Sequence, residues 1–240
     1  KRFVLTAASC IANLEERRLP QHCVKQIVVG SKYIKRGERL ELEVDQWHIH
    51  PKYEPVDYIA RCMYHHNLAL LQLEEPLKMT TTVNKVRLPI FTNHTDKKNF
   101  SSSTTSHYMN SGMECTLVGF QPTDAYPALG ELNTMNVKLM DLEDTVDVFK
   151  VKDNIKFTST GDVCLLDHLS SAPDDKSNIT WHSGSALLCA GVLIGVGLAN
   201  KNEDPHIFTR VDVNRDWIRM VSSNNRNTPF FVLIYFILCR

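Results

Sequence analysis

The sequence is expected to fold as all-β, antiparallel sheets closed into barrels or sandwiches. Short apolar or alternating runs recur along the 240 residues, and turn-forming Pro, Gly, Asn and Asp separate many of them. Strands do not alternate with helices, as a parallel sheet would require. The length suits one large all-β domain or two small ones, and 43% hydrophobic with 22% charged residues is the composition of a globular chain able to bury a core.

The expected strands, in order, are Arg2–Ala8, Lys25–Val29, Leu40–His48, Leu68–Leu73, Thr116–Phe120, Leu132–Leu139, Ala186–Val196 and His206–Val211. One helix is expected near the C-terminus, where Asp212 can cap a segment with Val213, Trp217, Met220 and Val221 at helical spacing. A weaker helical signal covers Leu142–Lys150. From Phe91 to Gly112 the chain is polar and low in complexity, as in a connection between two halves. No internal repeat marks a solenoid or propeller.

Lys+Arg and Asp+Glu are both 27, so net charge gives no case for nucleic acid or an anionic membrane as partner. The seven cysteines include no Cys-x-x-Cys pair, which leaves zinc-ribbon and thioredoxin-like readings unsupported. Glycosylation triplets start at Asn93, Asn99 and Asn178. With the scattered cysteines they fit a secreted, extracellular glycoprotein. The sequence opens inside an apolar strand without an initiator Met, and is expected to be a fragment or processed product.

Several motifs carry chemistry. Phe3-Val4-Leu5-Thr6-Ala7-Ala8-Ser9-Cys10 is followed by His50-Pro51-Lys52-Tyr53, then Asn67-Leu68-Ala69-Leu70-Leu71-Gln72-Leu73 with Pro76-Leu77. Next come Cys115-Thr116-Leu117-Val118-Gly119-Phe120, Ser183-Gly184-Ser185-Ala186-Leu187-Leu188-Cys189, Ile207-Phe208-Thr209-Arg210-Val211 and Trp217-Ile218. In this order, over residues 3–221, they resemble the landmarks of the trypsin-like serine proteases. The resemblance implies two six-stranded antiparallel Greek-key barrels with a cleft between them, the first barrel truncated at its N-terminus, and a C-terminal helix. Barrel one would cover about 1–90, a linker about 91–114, barrel two about 115–211 and the helix about 212–225, with an apolar tail over 226–240.

In that family a Ser is activated by a His that an Asp orients. By motif those positions are Ser183, Ser9 and Asn67, so only the nucleophile is kept. A general base needs a pKa near the working pH, which His has and a serine hydroxyl lacks. Asn67 is neutral and could not stabilise an imidazolium. His65 and His66 lie in the preceding loop, with no sequence argument that sets either ring on Ser183. Trp181 stands where the oxyanion hole, completed by Ser183, normally uses Gly, and its Cβ penalises φ > 0. His182 replaces the Asp that pairs with the new N-terminus on activation. The specificity position falls near Ser177, Ala199 stands where a Trp usually lines the cleft, and His206 replaces a small Gly at the pocket base.

The resemblance also implies a Cys115–Cys189 disulfide joining the connecting loop to barrel two. It places the partner of Cys10 upstream of Lys1, leaves Cys164 without its usual partner, and brings Cys23 and Cys62 into neighbouring loops where they could bridge. Cys239 is unassigned.

The expectation from these departures is a non-enzymatic pseudoprotease that acts by protein binding, as cofactor, decoy or regulator of a proteolytic cascade. Its partners would be active proteases, their substrates or inhibitors. The alternative is a weak or unusual serine endopeptidase using Ser183 with a relocated base. His48, His50, His65 and His66 lack the accompanying carboxylate or Cys of a zinc site, so neither metal nor cofactor is expected. The tail Phe230–Cys239 is shorter than the about 20 residues of a membrane-spanning helix. A removable lipid-anchor signal, an extra strand, a buried plug and a gene-model artefact compete to explain it.

Overall fold

The computed structural model describes residues 3–16, 26–33, 40–54, 66–89, 112–123, 126–139, 163–167, 183–197 and 206–223. The expected helix at Leu142–Lys150, nearly all of the Phe91–Gly112 connection and the tail Phe230–Cys239 lie outside them.

β1 (Phe3–Thr6), β2 (Gln26–Val29), β3 (Leu40–Ile49) and β4 (Ala69–Leu73) form an antiparallel four-stranded sheet in the order β1-β4-β3-β2. β1 and β4 are apolar on both faces because both faces are covered. Strand side chains alternate in direction. Val4, Leu71 and Leu73 accordingly enter the first core with Ile11, Ile27 and Val29. Phe3, Leu5 and Leu70 point the other way, into a second core.

β5 (Glu114–Thr123), β6 (Tyr126–Leu139), β7 (Val163–Asp167), β8 (Ala186–Cys189), β9 (Val192–Gly197) and β10 (His206–Arg210) close a six-stranded barrel in the order β10-β7-β6-β5-β8-β9. Leu117, Val137, Leu187, Ile194 and Phe208 fill it. The second core lies between the sheets, where Phe3, Leu5 and Leu70 meet Ala186, Leu193, Val196, Trp217 and Ile218. Sheet, barrel and C-terminal helix thus share buried side chains along one seam.

The Ala186–Val196 run divides into β8 and β9. Cys189 pairs with Val192, leaving a two-residue loop of Ala190 and Gly191 at φ 49° and 71°. Positive φ at both loop residues matches the right-handed twist of the flanking strands. β7 was not among the expected strands.

The helices carry further corrections. α1 (Ala8–Glu16) follows β1 directly, where no helix was expected after the strand Arg2–Ala8. Its Ala8 and Ile11 are buried in the first core. Its first turn holds no acidic residue and its last turn no basic one, so the charge signals that mark helix ends are missing. α2 (Arg215–Ser223) is the expected C-terminal helix. Asp212 does not cap it with its side chain, because that carboxylate receives the Arg210 guanidinium through two hydrogen bonds. Met220 is 57% exposed and faces away, while Trp217, Ile218 and Val221 meet the core.

Cys115 and Cys189 form a disulfide, as expected. They are register partners on β5 and β8, so the bridge crosses adjacent strands within the barrel instead of tying the connection to it.

Candidate active site

Ser9 lies in the first turn of α1, where backbone N–H groups have no acceptor inside the helix. Asn67 Oδ1 accepts the Ser9 N–H at 2.7 Å, from 58 residues away in sequence. Asn67 Nδ2 donates to Ser9 Oγ at 3.2 Å. Ladder register explains the meeting. β1 pairs with β4 so that Thr6 opposes Ala69, and the chain leaving β1 then runs beside the chain entering β4. Ser9 and Asn67 are 4% and 1% exposed, so each satisfies polar atoms of the other that water does not reach.

Ser183 arrives from the barrel. Its carbonyl accepts from Cys10 Sγ at 3.6 Å, next to Ser9 in sequence. Gly184 has φ +93°, and a Cβ there would lie 2.9 Å from Thr6 Oγ1. Only glycine combines that backbone with so close an approach to β1. Gly184 N–H donates to Gly197 O at 2.8 Å, and Gly197 N–H to Ser185 O at 2.7 Å, which fixes the segment to the end of β9. Ser9, Asn67 and Ser183 thus gather where the end of β1 meets the barrel.

Ser9 and Asn67 carry no group that titrates near neutral pH. Burial pushes the Cys10 thiol up to about 11, with its Thr6 hydrogen bond acting the other way, so it stays a protonated free thiol. His50 and His66 stack with ring centroids 4.5 Å apart, and His50 and Trp217 meet in a T-shaped arrangement with centroids 4.7 Å apart. His66 Nδ1 donates to Asn214 Oδ1 at 2.7 Å, so the ring beside Asn67 is held towards α2. His48 of β3 neighbours Phe3 of β1 across β4, and its burial lowers its pKa. Among the described residues no group of His, Cys, Asp and Glu could hold a metal ion.

Other expected positions are described in part or not at all. His206 opens β10 opposite Leu166 of β7, and Cys164 of β7 opposes Phe208; nothing is described of either side chain. Ser177, Trp181, His182, Ala199, Cys23, Cys62, Cys239, Asn93, Asn99 and Asn178 lie outside the described residues. Sequence reasoning left Asn214 unnoticed and gave His66 no partner. Their separation of 148 positions offers no pattern that pairs them.

The sequence profile of the trypsin family matches residues 1–218. The chain belongs to the trypsin family. It is 27% identical over 229 residues to mast cell protease 2 of Meriones unguiculatus, covering 94% of this chain and 77% of that protein. Chymase of Cavia porcellus is 27% identical over 228 residues, with the same coverage of 94% and 77%. Among solved structures, neuropsin, a serine protease expressed in the limbic system of mouse brain, superposes with TM-score 0.64 at 20% identity, over 92% of this chain and 85% of that one. At that identity the likeness is one of fold.

These trypsin-family relatives overturn the expectation of a non-enzyme, because they are named proteases. The physical error lay in equating lost triad groups with lost chemistry. A protease of this type that lacks a triad member still retains about 10³–10⁴-fold catalysis over water from its oxyanion hole and binding.

Proposed function

We propose that the chain is a slow serine-type endopeptidase that binds extended polypeptide between sheet and barrel, with Ser183 as nucleophile. The observation that supports this best is the convergence of Ser9, Asn67 and Ser183 at the seam, through the Asn67–Ser9 hydrogen bonds and the Cys10–Ser183 contact. Family membership supplies the reaction class. Without an imidazole at Ser9, turnover falls by about 10⁴–10⁶ relative to a complete triad, and the separate losses do not add.

The setting we propose is extracellular. The Cys115–Cys189 disulfide and the triplets at Asn93, Asn99 and Asn178 suit an oxidising compartment. The polypeptides bound there would be other proteases, their substrates or their inhibitors, because a slow site holds its ligand longer than it cuts it.

A fluorophosphonate probe followed by peptide mapping tests the assignment. The expected result is slow covalent labelling of Ser183 that Ser183→Ala abolishes. A folded protein that stays unlabelled overturns it.

A further inference from the structure

The turn that carries Asn67 is strained and held from outside. His66 adopts φ 47°, in the left-handed region that non-glycine residues seldom occupy. Leu68 N–H bonds to His66 O at 2.6 Å, closing a tight three-residue turn centred on Asn67. Such a conformation persists only where its surroundings over-determine it. Here they do so through the His66 ring, stacked on His50 with an interplanar angle of 5° and bonded to Asn214. Asn214 Nδ2 donates to Arg210 O at 2.7 Å, so its Oδ1 is the acceptor and His66 carries its proton on Nδ1. His50 Nδ1 accepts the Lys52 N–H at 3.2 Å, which puts the proton of neutral His50 on Nε2.

We propose that the stacked His50–His66 pair is an acid-released latch that holds Asn67 against Ser9, with His66 as a positioning residue acting through the turn backbone. Protonating His50 at Nδ1 removes the acceptor from Lys52 N–H and sets a cation against the neighbouring ring. The charged and titratable groups that bear on His50 are His66 and Lys52, and both disfavour its cation. From α2 it meets the uncharged Trp217, while His66 meets the uncharged Asn214. Burial is the larger influence, and together these hold the His50 pKa down to about 4. Acid therefore opens the stack, the His66 backbone relaxes, and Asn67 leaves the Ser9 amide. As regulation of the site this rests on the reading of Ser9, Asn67 and Ser183 as the reactive centre, whereas the latch itself can be observed without catalysis.

Amide hydrogen exchange by NMR, corrected for intrinsic rates, reads the latch at the Ser9 N–H. Leu117, paired on both sides in the barrel, serves as reference. Protection of Ser9 is expected to fall about tenfold per pH unit between 6.5 and 4, and to lie below the protection of Leu117 at every pH because the latch opens without unfolding the barrel. His50→Phe, which keeps a ring and loses the proton, is expected to abolish the fall. His66→Asn, which tolerates positive φ but cannot stack, is expected to lower Ser9 protection already at pH 7. The proposal is overturned if His50→Phe, or should that variant not fold His66→Asn, retains the wild-type pH profile, or if Ser9 and Leu117 show equal protection at every pH, as unfolding of the whole chain alone would give. Fluorophosphonate labelling at pH 7 separates the two readings. Unlabelled Ser183 removes the reactive centre and its regulation, and the amide profile alone then decides the latch.

Discussion

Asn67 caps α1 from outside the helix: its Oδ1 accepts the Ser9 N–H at 2.7 Å in a setting where both residues are buried. Asn67→Ala would leave that N–H and the Ser9 hydroxyl without their partner, at a cost of about 1–3 kcal/mol. Urea unfolding should show a lower midpoint with an unchanged slope. An unaltered midpoint would mean the bond does not stabilise the fold.

Ser9→His alone should gain little, since an Asn beside the imidazole leaves it in the wrong tautomer. The Ser9→His/Asn67→Asp double variant should accelerate Ser183 labelling by about 10³-fold or more. Labelling rates of wild type, both singles and the double would show whether the gain belongs to the pair.

Gly184→Ala meets Thr6 Oγ1 at 2.9 Å in a backbone with φ +93°. Strain of this kind costs about 1–3 kcal/mol, and it should displace Ser183 from the seam. Slower labelling together with a lower melting temperature is expected. A matching loss in a Thr6→Ala/Gly184→Ala double would assign the strain to φ, and a rescue would assign it to the clash.

The Cys115–Cys189 bridge closes a loop with a sequence separation of 74, for which chain entropy gives about 4 kcal/mol of stabilisation. Denaturant unfolding with and without reductant should differ by that order. Equal midpoints would show that the barrel does not depend on the crosslink.

His50 has a folded-state pKa of about 4 against an ordinary 6.5. Between those values the unfolded chain binds more protons, so stability rises with pH. Its contribution is complete above pH 6.5 and is lost progressively as pH falls through 4. Unfolding midpoints across that window should decline in wild type and flatten in His50→Phe.

The fold was legible where hydrophobic pattern reports burial. The runs at Phe3–Thr6 and Ala69–Leu73 show it, because strands covered on both faces must be apolar at every position or nearly so. α1 was hidden, since Ser9, Cys10 and Ile11 are no better helix formers than strand formers, and tertiary burial of Ala8 and Ile11 decides the matter. At the site, motif order singled out Ser9 and Asn67, which the structure joins by hydrogen bonds, and Ser183, whose carbonyl meets Cys10; residue type alone does not settle what they do chemically. The His66–Asn214 bond was invisible because a side-chain contact between distant loops leaves no periodicity.

The seam core also bears on biosynthesis. Phe3 and Leu5 emerge from the ribosome long before Trp217 and Ile218, yet the four side chains are buried in one cluster. The N-terminal sheet therefore waits, with its inner face uncovered, until α2 has been translated. During that interval the nascent chain exposes the apolar side chains of Phe3, Leu5 and Leu70, and a chaperone has its longest opportunity to act.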